Sequence, residues 1–185
     1  MALTTFVSGQ VLTAAQLNDS FAAVGGLRLI KTQTVGTAVS SVAVTGAFSS
    51  TYDNYLITLN GGTISADATI NLQLGASSTG YYGFLTFGTS TSGATVLGSN
   101  SNNDTLARFV GGGASGQMAH VSCTVIGPNL AAYTKITNGA YQSGANYGTS
   151  QFEHRVATAY TDFTLATSTG TLTGGTIRVY GYQNS

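Results

Sequence analysis

From Leu27 to the C-terminus the chain alternates with a period of two, and that pattern excludes most folds at once. It is clearest in Ala68-Thr69-Ile70-Asn71-Leu72-Gln73-Leu74, where Ile70, Leu72 and Leu74 share one side and Thr69, Asn71 and Gln73 the other. Successive side chains of a strand point to opposite faces, so this segment predicts a strand with one buried and one polar face. Comparable runs occur at residues 27–35, 39–44, 52–59, 81–87, 106–110, 117–126, 132–137, 150–157, 162–166 and 176–182. Gly61-Gly62, Gly111-Gly112-Gly113 and Gly127-Pro128-Asn129 read as turns between them, and residues 88–104, almost all Thr, Ser, Gly and Asn apart from Val96-Leu97, read as a long loop. Roughly nine or ten strands punctuated in this way predict an all-β domain. Because the strands are not joined as two-residue hairpins, the expectation is a jelly-roll-like β-sandwich, with a lipocalin-like closed barrel as the alternative.

The first 26 residues differ. Thr13 followed by Gln16 is a capping box, Leu12 and Leu17 can close a staple over the first turn, and Gly25-Gly26 supplies a left-handed stop. Leu17, Phe21 and Val24 fall on one face at helical spacing. The sequence therefore predicts one short helix on an N-terminal arm (residues 1–26) ahead of a β domain (27–185). About three turns with so little apolar area are marginal in isolation, so the stripe must dock, either on its own domain or on another chain. On the second alternative Phe6, Leu12, Leu17, Phe21 and Val24 are the attachment residues.

Charge narrows the function. Only 6% of the 185 residues are charged, six basic against six acidic, where ordinary soluble proteins carry roughly a quarter. A neutral, weakly charged surface promotes association, which suits a component of a larger assembly and a symmetric homo-oligomer. No Lys/Arg cluster exists to neutralise phosphates or an anionic bilayer, so neither nucleic acid nor a membrane surface is an expected partner. The 42% hydrophobic content, with ten Tyr and eight Phe, supplies a core. No signal peptide and no membrane-length apolar window are recognisable, which predicts synthesis in a cytoplasm.

Groups for catalysis are scarce. His120 and His154 are the only imidazoles, Glu153 is the only Glu, and Cys123 is alone in an apolar run that predicts a buried, inert thiol. Glu153 and His154 are sequence neighbours on a strand, so they point to opposite faces. No Gly-x-Ser-x-Gly elbow, zinc spacing or EF-hand pattern is present, and Gly111-Gly112-Gly113 lacks the Lys and helix of a phosphate loop. The expectation is a non-enzyme without cofactor or structural metal; an ion at residues 100–104 is the weak exception. Surface chemistry remains: Tyr81, Tyr82, Tyr141 and Tyr147 lie among Gly, Ser and Asn, a composition that adaptable binding surfaces use. The alternative is that they are ordinary aromatics of a β fold.

The opening Phe6-Val7-Ser8-Gly9-Gln10-Val11-Leu12-Thr13-Ala14-Ala15-Gln16-Leu17-Asn18 resembles the start of many structural proteins of tailed bacteriophages. The strand at residues 52–59 with its Gly-Gly, and the ending Gly174-Gly175-Thr176-Ile177-Arg178-Val179-Tyr180, are similar to β domains of that class. The resemblance implies a virion location and capsid or tail proteins as partners. It also implies a homotrimer or other symmetric oligomer. The function it implies is head decoration or cement, or a compact fibre. The alternative is a tail-fibre or minor tail protein whose β domain binds a receptor or host surface glycan. No catalytic residue is carried over, and no repeat or heptad region is present to form a shaft.

Overall fold

The computed structural model describes residues 26–91 and 96–184, with Ser8, Gly9, Val11 and Thr13. The expected N-terminal helix, and Phe6, Leu12, Leu17, Phe21 and Val24 with it, lie outside the described residues. Among those described there is no helix. The elements are twelve strands: β1 (Leu27–Thr34), β2 (Ser41–Val44), β3 (Asn54–Ile64), β4 (Ala68–Leu74), β5 (Tyr81–Thr89), β6 (Val96–Asp104), β7 (Ala107–Gly113), β8 (Met118–Ile126), β9 (Thr134–Ser143), β10 (Asn146–His154), β11 (Phe163–Thr167) and β12 (Leu172–Tyr182). The domain is all-β, and its strands form one open antiparallel network.

Three series of strands meet at β8. One runs β1-β12-β3-β8 and a second runs β2-β11-β4-β7. β8 pairs with β3 along nearly its whole length. On its other edge it pairs with β7 at Val121 and His120, and with β9 from Cys123 to Ile126. The third series, β9-β10-β5-β6, continues from that second pairing as a wing.

Alternation builds the core. Tyr55, Ile57 and Leu59 of β3 are fully buried, as are Ile70, Leu72 and Leu74 of β4, while Val121, Cys123 and Val125 of β8 and Phe163 and Leu165 of β11 are almost so. Phe48 links the two series, edge-on to Tyr55 at 4.8 Å and stacked on Phe163 at 5.5 Å. The Tyr55 hydroxyl donates to the Ser49 carbonyl at 2.7 Å and accepts from the Ser49 N–H at 2.8 Å, so its polar end is satisfied.

Several expected turns and loops prove to be strands. Residues 96–104 form β6, an edge strand; its backbone pairs with β5 although its side chains carry no apolar alternation. Gly111-Gly112-Gly113 lies inside β7. A Cβ on Gly112 would run into the Ala68 and Gln142 carbonyl oxygens, so glycine here lets β4 and β9 close over β7 rather than reversing the chain. Gly61-Gly62 and Gly174-Gly175 lie inside β3 and β12, Gly62 paired with Gly174. Gly175 has φ of 92°, and a Cβ on it would stand 2.7 Å from the Gly62 nitrogen. The two Gly-Gly dipeptides thus form one kink shared by adjacent strands. Gly127-Pro128-Asn129 is a turn as expected.

The wing is held over β7 through Phe109, a non-glycine residue with φ of 62°. Such a backbone costs roughly 1–3 kcal/mol and persists only where its surroundings fix it. Here the Phe109 N–H donates to Asn71 Oδ1 at 3.1 Å, while its carbonyl accepts from Asn138 Nδ2 and Ser150 Oγ, both at 2.9 Å. Asn71, Asn138 and Ser150 are all buried. Three polar side chains from β4, β9 and β10 therefore fix one strained peptide where the strands fork.

Candidate functional site

The inward residues of the wing leave its opposite face to solvent. Paired residues in adjacent strands share a face, so one row can be followed across eight strands: Leu29, Tyr180, Leu56, Thr124, Thr137, Gln151, Phe84, Asn100. At about 4.8 Å per strand the row is roughly 34 Å long. Its chemistry changes along the way. At the β1/β12 end Leu27 and Leu29 are half exposed with Tyr182 beside them, and Arg178 precedes Tyr180 on the same face of β12; the β5/β10 end carries aromatic rings with charges of both signs.

At the latter end the face sinks into a depression of about 260 Å³, lined by Tyr82 and Phe84 of β5, Lys135 and Thr137 of β9, Gln151 and Glu153 of β10, and Arg155 just after β10. Phe84 is 50% exposed. The Arg155 guanidinium lies over the Tyr82 ring at 4.4 Å, and its Nε is 3.3 Å from Glu153 Oε2, so the cation is held by a ring and a carboxylate together. Lys135 stands opposite Glu153 in the β9/β10 register. The side chains of Lys135, Thr137 and Gln151 make no hydrogen bond or ion pair among the described residues. Three of the twelve charged residues in the whole sequence meet here.

The four tyrosines expected to bind ligands separate into two kinds, and all four stand on strands rather than loops. Tyr81 is fully buried, and its hydroxyl accepts from the Leu74 N–H at 2.7 Å. Burial raises its pKa strongly despite that bond. Tyr141 is buried edge-on to Phe109 at 5.4 Å, and burial raises its pKa too. Neither can contact a ligand, because both point inward where the wing packs on the core. Tyr82 and Tyr147 do face out. Tyr147, however, pairs with Gly88, six residues along β5 from Tyr82, which is roughly 20 Å of strand. Only Tyr82 belongs to the depression. Phe84, Lys135, Thr137, Gln151, Glu153 and Arg155 were not singled out as one site by the sequence, although Tyr82-Gly83-Phe84 and Gln151-Phe152-Glu153 carry the alternation that aims them the same way.

Glu153 and His154 do diverge, as their adjacency on a strand requires. His154 is fully buried, 4.3 Å from the Tyr81 ring and 5.3 Å from Tyr160 by centroids. Its Nε2 is 2.8 Å from Ser77 Oγ and 3.1 Å from the Thr79 carbonyl oxygen. That carbonyl can only accept, so the proton belongs on Nε2. The basic lone pair is then on Nδ1, which is buried without a hydrogen-bond partner among the described residues. A serine base requires the reverse tautomer with a carboxylate behind it, and the Ser77-His154 contact is arranged as a structural tie. The Cys123 thiol is buried and pushed up to about 12 by desolvation, which keeps it protonated and unreactive. Among the described residues no three His, Cys, Asp or Glu side chains are grouped to hold a metal ion, and no helix is long and apolar enough to cross a membrane.

Comparison with protein-family models, with characterised proteins and with solved structures found no match.

Proposed function

We propose that this chain is a structural protein of a tailed-bacteriophage particle, a head decoration or cement protein or a compact fibre, attached through residues 1–26 and projecting a jelly-roll β domain. The strand order supports the jelly roll. Labelling β1, β2, β3, β4, β7, β8, β11 and β12 as successive strands of an eight-stranded roll, the series β1-β12-β3-β8 and β2-β11-β4-β7 interleave as its two sheets do. The pairs β5/β6 and β9/β10 are then insertions that make the wing.

The observation that carries the attachment reading is the group of exposed Leu and Tyr side chains at the β1 end of the outer face. Leu27 and Leu29 stand half exposed beside Tyr180 and Tyr182, directly where the chain enters from its N-terminal segment. Exposed apolar side chains gathered in this way are suited to burial against a neighbour, with Arg178 on the same face available to pair with an acidic group. The outer edges of β1, β2 and β6, which pair with no further strand among the described residues, add sites for lateral contact between copies, in keeping with a trimer or other symmetric oligomer among capsid or tail proteins. The Ser77-His154 geometry favours a non-enzymatic role. The second reading, a tail-fibre or minor tail protein binding a receptor, draws on the depression at the other end of the row.

The test is removal of residues 1–26. The truncated protein is expected to keep its β-sheet circular dichroism and unfolding transition yet fail to join particles in a complementation assay. Normal incorporation of a folded truncated protein overturns the attachment reading.

A further inference from the structure

We infer that the depression lined by Tyr82, Phe84, Lys135, Thr137, Gln151, Glu153 and Arg155 binds an acidic saccharide, one pyranose ring lying against Phe84 with its carboxylate on the Lys135 ammonium. The inference stands on the chemistry of this face and holds whether or not the chain is carried on a particle.

Shape comes first. At about 260 Å³ and open on one side, the site is smaller than the roughly 300–1,000 Å³ of pockets that engulf small molecules. It suits one unit of a longer, solvent-exposed chain. The aromatic faces are next. A ring presents a negative face, which attracts the polarised C–H bonds on the flat side of a pyranose, and Phe84 offers such a face with half its surface in water. Tyr82 is already covered by Arg155, which anchors that side of the site.

The polar groups specify the ligand. The Gln151 amide supplies donors and an acceptor, and the Thr137 hydroxyl supplies both functions; neither is used within the described fold, so both are free for sugar hydroxyls. Glu153 and Arg155 neutralise one another across 3.3 Å. Lys135 stands opposite the same carboxylate without an ion pair to it among the described residues, so two cations and one carboxylate leave the depression with a net positive charge that favours a carboxylated sugar over a neutral one. A protein partner fits less well, since the buried centres of protein interfaces are depleted in charge and this site contains three charged side chains. Nucleic acid also fits poorly: two cations with a carboxylate between them provide little phosphate neutralisation.

Saturation-transfer NMR on the full chain tests this, with 3′-sialyllactose and a hyaluronan tetrasaccharide as acidic probes and lactose as the neutral one. The expected result is binding of at least one acidic probe about tenfold tighter than lactose. Lys135→Met should remove that advantage, Phe84→Ala should abolish binding, and Gln151→Ala should weaken it. Tyr147→Ala, far along the same face, should leave it unchanged. All four side chains reach the surface, and an unshifted unfolding midpoint verifies that each variant is folded. Absence of acidic-probe binding up to about 10 mM, equal binding of lactose, or binding indifferent to Lys135→Met and Phe84→Ala overturns the inference.

Discussion

The strands β1-β12-β3-β8 and β2-β11-β4-β7 bury their inner faces with Ile, Leu, Val, Phe and Tyr, whereas the wing β9-β10-β5-β6 buries Thr134, Asn138, Ser150 and His154 beside Ile136, Phe152 and Leu85. In the first region stability comes from area removed from water, a term without direction. In the second it also depends on hydrogen bonds to particular atoms, above all the Phe109 carbonyl. The comparison teaches that apolar alternation suffices to build a core, while an appended sheet is positioned by a few satisfied polar groups. The wing's outer face is thereby left free for the depression.

The largest effect should come from the first region. Phe163→Ala removes a side chain 1% exposed that stacks on Phe48 and should cost about 3–5 kcal/mol in denaturant unfolding, with amide protection falling across all strands together. Next is the wing. Asn138→Ala removes a donor to the Phe109 carbonyl and the acceptor for the Ala140 N–H, and should cost about 1–3 kcal/mol. Hydrogen exchange should quicken in β9, β10 and β5 while β4, β11 and β12 keep their protection; uniform loss would erase the distinction between the regions.

The smallest effect is a pH dependence from His154. Burial holds its imidazole below the ordinary value, opposed by the hydrogen bond to the Thr79 carbonyl. As pH falls through about 6.5 the unfolded chain takes up a proton that the folded chain refuses. The stability is therefore fully present above that pH and is lost as pH drops towards the lower folded value. Unfolding midpoints measured from about pH 7.5 to about pH 5 should fall in the native chain and fall less in His154→Gln; identical slopes would remove His154 as the cause.

The eight-strand core was legible because its alternation is written in apolar residues: 68–74 matches β4 at both ends. β6 was not, since Val-Leu-Gly-Ser-Asn-Ser-Asn-Asn-Asp resembles a loop and becomes a strand through backbone pairing with β5. The glycines misled for a related reason. Gly111-Gly112-Gly113 and the two Gly-Gly pairs are composed like turns, but here glycine answers a close approach of backbones that no local pattern records. The depression was legible only in fragments, with Tyr82 recognised and Phe84 missed, because its lining comes from three strands whose order in space differs from their order in the chain.

By itself the sequence determined the all-β class, the burial of Cys123 and the divergence of Glu153 from His154, since each follows from the two-residue period of a strand. Tertiary structure alone decided which tyrosines face solvent, that glycines lie in strands, and that Lys135, Phe84 and Arg155 share one surface. Those outcomes depend on register between segments distant in sequence, and register is set by packing across strands rather than by any residue's own preference.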